Sequence, residues 1–585
     1  MGWETSTGRG SRGPSARGYC LGSRSCSKSR SVENVSFTVL LLYIALNKVL
    51  CLTGPLDDVL SFLITIGSPA LAIYSLEITH LNAAWITEAF LDVNYPNSEK
   101  IPIVLSAFHH VPIRISHRPP HLHSLIVLHK NDGFWGLLFE AAQQTRRWSI
   151  PLTINFILVV LAVILTIVDS YFSAGPGDTG NGIAATWTFL LPLVIGWLRV
   201  GCEPEPGHLR KSLEAANKKA WVATSERGRP LPVVSSQRGE PVRGPPAIEF
   251  MKAGQVDLPR KDELRPVPLF NYSRAFVSPL AAELVLKFAK NAAANAEREI
   301  PVGNILGRSD PPLTWAVNER EEIADGNRIG TDDEVTEYCT KAPPPREEDS
   351  NPVVPVDSHP SEKTETNNPL LPLHDPRLFT HSSRWATGIW KRVTASAALA
   401  LALQWGTTGA AVVVHYAAPP AGLGCRSIAF LLYGVAGTVS FLFFLVSSIL
   451  AHASRPAQGR RREDDRSFTR DCQEAGATVC RWLGKGIAIL SAIGILLTCI
   501  FQTTGAFENC FCTSTTFDKG REDTVRIPTI NYVVTPAVFG ASVGGLLMAF
   551  LTAILFGFLM FLGTPSRRWA LILYFCILYS LLFIT

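Results

Sequence analysis

Uncharged apolar runs alternate with polar stretches along the chain. A bilayer core about 30 Å thick takes roughly 20 apolar residues per helix, so runs of about 17 or more predict spans. Nine are present: Val35–Leu52, Val59–Leu76, Pro151–Phe172, Ile183–Val200, Val393–Tyr416, Cys425–His452, Gly486–Thr504, Val534–Leu562 and Trp569–Thr585. Asn47 and Lys48 interrupt the first near one end, where a lysine can snorkel to the interface. The pattern predicts an all-α integral membrane protein of about nine transmembrane helices with a large, partly disordered cytoplasmic loop.

The same pattern divides the chain. Residues 1–33 form a basic disordered tail, 34–76 and 151–200 transmembrane hairpins, 77–150 and 201–392 connections, and 393–585 the last five helices. The connection 77–150 is too apolar for a plain linker and predicts interfacial helices. One of them would start at Asn131 or Asp132 and run through Phe134, Leu138 and Ala142 to Arg146 and Arg147. In 201–392, Leu209, Leu213, Ala216 and Trp221 mark one face of a helix and Arg210, Lys211, Lys218 and Lys219 another. Such a helix suits an anionic leaflet, or equally packs on the rest of its loop. Ser278-Pro279 reads as the start of a second helix with Val277, Leu280, Leu284 and Phe288 on one stripe. From about Asp332 to Pro376, Pro, acidic and hydroxyl residues dominate, which predicts disorder.

Composition agrees with a mixed chain. Of 585 residues only 18% are charged, and the mean hydropathy is +0.18 despite 44 Gly and 40 Pro. A soluble chain carries about 25% charged residues. The net charge of +5 is local, because residues 1–30 hold Arg9, Arg12, Arg17, Arg24, Lys28 and Arg30 against Glu4. No basic face interleaved with aromatics suggests a nucleic-acid partner. Twelve cysteines without a Cys-x-x-Cys pair exclude a zinc ribbon.

Arginine and lysine in short connections stay cytoplasmic. The N-terminal tail, the segment Arg455–Arg470 with its six arginines, and Arg567-Arg568 fall on one side of a nine-span chain. The other side holds only Lys519, Arg521 and Arg526. This places the N-terminus in the cytoplasm and the C-terminus at the outer or lumenal face of a plasma or secretory-pathway membrane. The sequons at Asn34 and Asn271 then face the wrong side for glycan.

The candidate chemistry is sparse. Six of 13 histidines lie between His109 and His129, among them His117, His121 and His123, which resemble part of a di-iron histidine box. No further box follows, and Pro112, Pro119 and Pro120 break any helix that would align them, so no metal, cofactor or catalytic residue is assigned. Ionisable residues within spans (Lys48, Asp169, Arg199, His415) sit near span ends. A polar intramembrane site remains open: the Gly67-Ser68-Pro69 break, Gln404 with Thr407 and Thr408, and Gln502 with Thr503. Helix packing through small and hydroxyl residues explains the same features, as it does Gly540-x-x-x-Gly544 with Gly545. The endings Gln404-Trp-Gly-Thr-Thr-Gly-Ala and Gln502-Thr-Thr-Gly-Ala hint at a duplicated unit at one depth. Cys510 and Cys512 in the longest outer loop are too close to pair with each other, so one of them is expected to pair with Cys425.

Ser212-Leu-Glu-Ala-Ala-Asn217, Pro268-Leu-Phe-Asn-Tyr272, and Leu403-Gln-Trp-Gly-Thr-Thr-Gly-Ala410 followed by Gly422-Leu-Gly-Cys-Arg-Ser427 resemble a group of uncharacterised fungal multi-pass membrane proteins. The resemblance implies the same topology and supplies no catalytic residue. Three functions follow as expectations. A non-enzymatic transport, channel or sensor role would place Gln404 and Thr407 on a water-accessible cavity. A scaffold would bind cytoplasmic proteins through 201–392. A metalloenzyme would use the histidines.

Overall fold

The computed structural model describes residues 55–115, 121–144, 161, 180–200, 207–233, 246–251, 258–265, 267–307, 312–317, 323–341, 385–418, 422–455, 468–503, 506–508, 512 and 536–561. Its helices are, in chain order, α1 (Pro55–Gly67), α2 (Pro69–Phe90), α3 (Lys100–Ala107), α4 (His121–Val127), α5 (Asp132–Gln144), α6 (Gly180–Trp187), α7 (Leu190–Val200) and α8 (His208–Lys219). There follow α9 (Asn271–Arg274), α10 (Val277–Glu297), α11 (Asp332–Thr340), α12 (Ile389–Ala417), α13 (Cys425–Ala453), α14 (Phe468–Thr503) and α15 (Pro536–Phe561). Two small antiparallel pairs complete it, β1 (Ile113–Ile115) on β4 (Ile248–Phe250) and β2 (Trp221–Val222) on β3 (Leu231–Pro232).

The expectation of nine spans is not supported. Among the described residues four helices, α12 to α15, are long and apolar enough to cross a membrane, and a fifth crossing exists only if α1 and α2 count together. Those two meet at Ser68 with a 99° bend, so Val59–Leu76 is not one straight helix. Ile183–Val200 divides at Thr188, whose hydroxyl donates to the Ala185 carbonyl at 2.7 Å, and its apolar stretch Ile183–Trp197 falls short of membrane length. Apart from Leu161, the runs Val35–Leu52, Pro151–Phe172 and Trp569–Thr585 lie outside the described residues. Absence of charge marks burial, and a helix buried in protein carries the same mark as one buried in lipid.

Two cores account for the packing. The first joins α1, the first half of α2, α6, α7 and α12 to α15 with Val267, Leu269, Phe270, Tyr272 and Phe276 from the long connection. The second is a module built from both connections: Ile86 to Ala142 pack with Leu209 to Cys339 around Phe108, Phe134, Trp135 and Tyr338. Helix α2, about 33 Å long, contributes to both, with Ala70 to Ile78 in the first core and Ile86 and Phe90 in the second.

The module overturns several readings. The helices described between 77 and 144 pack their apolar faces on segments of 201–341. Helix α8 buries Leu209, Leu213 and Ala216 against α5, which selects the packed alternative for this amphipathic helix. Asp332–Thr340 is helical rather than disordered. Thr331 and Glu334 form a reciprocal capping box there, and Arg227 Nη2 donates to Glu334 Oε1 at 2.7 Å. Helix α10 starts two residues earlier than a Ser278 N-cap with Pro279 as first helical residue, with Phe276 at the N-cap, and its buried stripe is Ala282, Val285, Phe288, Ala289 and Ala292. Neither Asn131 nor Asp132 caps α5 through its side chain. The Asn131 amide bonds across the chain to Trp221, and Asp132 pairs with Arg328 at 2.7 and 2.8 Å.

Candidate functional site

The polar residues predicted within the spans come together in part, as a closed joint. At the α1–α2 break the Ala70 N–H donates to Gln404 Oε1 at 2.9 Å. Gln404 Nε2 donates to the Gly434 carbonyl at 2.8 Å and to Thr438 Oγ1 at 3.0 Å. Tyr433 donates its hydroxyl to the Ile66 carbonyl at 2.7 Å, and Ser68 donates to the Gly437 carbonyl at 2.9 Å. The backbone groups freed by the bend are thus taken up by α12 and α13. Gly67 sits so tightly on α14 that a Cβ there would lie 1.7 Å from the Ala488 carbonyl oxygen.

Gln404, Thr407 and Thr408 are fully buried, so the expected water-facing placement of Gln404 and Thr407 is not found. Thr407 bonds back to the Leu403 and Gln404 carbonyls in its own helix. Gln404 lies mid-helix in α12, whereas Gln502 and Thr503 end α14, so the two similar sequences do not share a depth. Of the Gly540-Gly544-Gly545 set only Gly545 is close-packed, against Val414 and Ala410.

A second polar assembly lies where the module meets the span ends, and the sequence reading did not anticipate it. Two buried carboxylates in the 3-10 helix Leu258–Leu264 face it. Asp262 accepts from Lys485 Nζ and from the Tyr272 hydroxyl, each at 2.6 Å. Glu263 takes Arg455 Nη2 at 2.6 and 2.7 Å from its two oxygens. Lys485 belongs to α14 and Arg455 follows α13, so both pairs tie a span to the module's connection. From α12, Arg392 Nε donates to Asn82 Oδ1 of α2 at 2.8 Å, with its guanidinium 4.4 Å from the Trp85 ring centre.

Arg274 organises the interior of this junction. Its Nε donates to the His109 carbonyl at 2.9 Å, its Nη1 to the Glu263 and Arg265 carbonyls at 2.8 and 2.7 Å, and its Nη2 to Asn271 Oδ1 at 2.6 Å. The Asn271 amide in turn donates to Thr79 Oγ1 at 3.0 Å and meets His110 Nδ1 at 3.1 Å. His109 stands between Thr79 Oγ1 and Asn82 Nδ2, 3.3 Å from each. Asn271 is fully buried, which by itself keeps this sequon from glycan. Ser75 and Ser448 donate to the Leu269 and Tyr272 carbonyls at 2.7 and 2.9 Å and fasten the segment to α2 and α13.

Electrostatics follow from this geometry. Burial alone would raise the Asp262 carboxyl, but the Lys485 ammonium and the Tyr272 hydroxyl outweigh it and hold the group below its usual range. Burial, then the charge of Asp262, pushes Tyr272 well above an ordinary phenol. Burial draws Arg274 down to about 10, so it stays charged at neutral pH. Burial, with the nearby His110 and Arg274, holds His109 well below the usual imidazole value and therefore neutral.

The remaining predicted residues are placed as follows. His121 and His123 are buried on α4, with the His123 ring centre 4.4 Å from that of Phe288, and His117 lies outside the described residues. Among the described residues no group of three or more His, Cys, Asp or Glu is placed to hold a metal ion. Cys425 and Cys512 form a disulfide, while Cys510 lies outside the described residues. His415 is buried at the far end of α12, its ring stacked 4.5 Å from Phe430.

Comparison with protein-family models, curated proteins and solved structures finds no match. What the fold defines is a class: a membrane protein with four candidate spans and a helical module tied to them by ion pairs on buried carboxylates.

Proposed function

We propose that this protein is a non-enzymatic membrane protein of the sensor type, in which the packing of the spans sets the state of the module. The observation that carries this is the double ion-pair junction: Lys485 on Asp262 and Arg455 on Glu263 link two spans to one short segment that also enters the bundle core. Moving either span relative to the segment costs a buried pair, which makes a shift in the bundle felt in the module. The arginine-rich connections favour a cytoplasmic module. Transport and channel roles draw less support, because the polar groups at the α1–α2 break are taken up within the protein. A scaffold role for 201–392 alone is weakened by the shared core, half of which comes from 86–142.

The test is hydrogen exchange on the full chain in bilayers of increasing acyl length, with solute and ion flux measured on the same vesicles. Exchange of the module amides is expected to change with bilayer thickness while flux stays at the level of empty vesicles. Exchange blind to thickness overturns the sensor reading, and flux above background replaces it with transport.

A further inference from the structure

We propose that Arg481 and the cationic side chains beside it form a binding site for a phosphate-bearing anion, presented by a membrane lipid headgroup. Arg481 of α14 is 4% exposed, its Nη1 is sealed from solvent, and it makes no hydrogen bond or ion pair among the described residues. The carboxylates of this junction make their direct contacts with other side chains. Asp262 holds Lys485 and Tyr272, Glu263 holds Arg455, and Glu474 holds Arg470 at 3.2 Å. Arg260 and Arg265 add further positive charge: Arg260 feels the repulsion of Arg455 and Arg470, and Arg265 Nε lies 4.0 Å from Asp262.

Arg260, Arg265, Arg455, Arg470, Arg481 and Lys485 therefore gather around three carboxylates, which leaves excess positive charge, and Arg481, within the field of Asp262, has no hydrogen-bond partner for its buried Nη1. A buried guanidinium N–H without an acceptor is costly, and a phosphate matches the guanidinium fork. Position on the helix indicates the source. Val479, Trp482 and Leu483 are exposed apolar side chains on the other faces of the same turns of a candidate span, so Arg481 lies at a level of the helix that acyl chains cover from outside, and a headgroup would reach it from the charged end of the bundle. Basic pockets between membrane helices recognise anionic headgroups in this way. The site does not depend on the sensor reading, since headgroup binding and thickness-dependent exchange are separate measurements.

The experiment uses the full chain in phosphatidylcholine nanodiscs, in nanodiscs that also contain phosphatidic acid, and in phosphatidylcholine with inorganic phosphate added. Phosphatidic acid is expected to raise the melting temperature, and Arg481→Gln to weaken that response about tenfold or more. In phosphatidylcholine alone, Arg481→Gln is expected to melt at or above the wild-type temperature, because the substitution relieves repulsion among six cations that share three carboxylates. Arg210→Gln, at an exposed arginine of α8, serves as the control and is expected to respond like wild type. An equal response to inorganic phosphate that Arg481→Gln abolishes supports the anion site and assigns it a soluble occupant. No response to either anion, or a response that survives Arg481→Gln, overturns the proposal. If Arg481→Gln does not fold, Arg481→Lys is read instead. It keeps the charge and loses the fork, and unchanged affinity there overturns the site.

Discussion

The spans and the module bury their polar groups in different ways. Between spans the ties are short and single: Ser440 donates to the Gly484 carbonyl at 2.9 Å and Ser447 to the Ala477 carbonyl at 2.6 Å, each hydroxyl meeting the backbone of the next helix. Outward-facing Leu490, Leu547 and Phe558 stay exposed, as suits side chains that meet acyl chains. In the module the ties cross long stretches of sequence, as in Arg328 on Asp132 and Arg227 on Glu334, and they set which segments pair. A helix in lipid needs length and apolar character, which are local properties. A small helical module without such long apolar helices needs specific partners, and here it recruits them from two connections separated by other helices. The junction is the one region described where both kinds of burial meet.

The comparison breaks first at the junction. Glu263→Ala leaves Arg455 without its carboxylate in a site where that side chain is only 24% exposed. The expected loss is about 3 kcal/mol, the low end for a broken buried pair. Limited proteolysis should show the module opening while the spans stay in the bilayer. Equal loss of both regions would mean that they fold as one unit.

Acid sharpens the contrast next. His109 and His123 are neutral in the folded module, with His123 pulled by burial down to about 3. Below the ordinary value of 6.5 the unfolded chain binds protons that the folded module refuses, so stability falls as pH falls. The expected slope approaches about 1.4 kcal/mol per pH unit for each histidine. Asp262 acts in the same direction in a lower window: its depressed value adds stability above the ordinary 3.8 that is lost only on further acidification. Module melting between pH 7 and 5 should therefore follow the histidines, and a flat profile would contradict their burial.

The smallest effects separate the two surfaces. Thr331→Ala removes one half of the capping box and is expected to cost about 1 kcal/mol of module stability. Leu490→Ala, on the 70% exposed outer face of α14, is expected to stay within about 0.5 kcal/mol in a bilayer. Thermal melts of both variants in one lipid test the order.

The legibility of this chain follows the same division. The helices α12, α13 and α15 match their expected spans to within a few residues, because unbroken apolar length is their cause. The helix α14 begins 18 residues before the Gly486 of its expected span, since a charge ends an uncharged run whereas here Lys485 lies within the helix and pairs with Asp262. The capping box at Thr331 to Glu334 was legible as Thr-x-x-Glu, but the acidic, proline-rich residues that follow obscured it. The junction had no local signature. Asp262 and Arg274 look like ordinary polar residues of a connection, and His109 and Asn271 stood out only as a histidine-cluster member and a sequon, until the fold brings all four to the span ends.

By itself, then, the sequence determined that long helices of this chain belong in a membrane, because charge-free length is a property each run carries alone. Only the tertiary structure decided that two of the other runs are bent or divided, that the two connections share one core, and which charges are paired. Those outcomes depend on contacts between residues far apart in the chain, where the free energy of burial belongs to the pair and not to either partner.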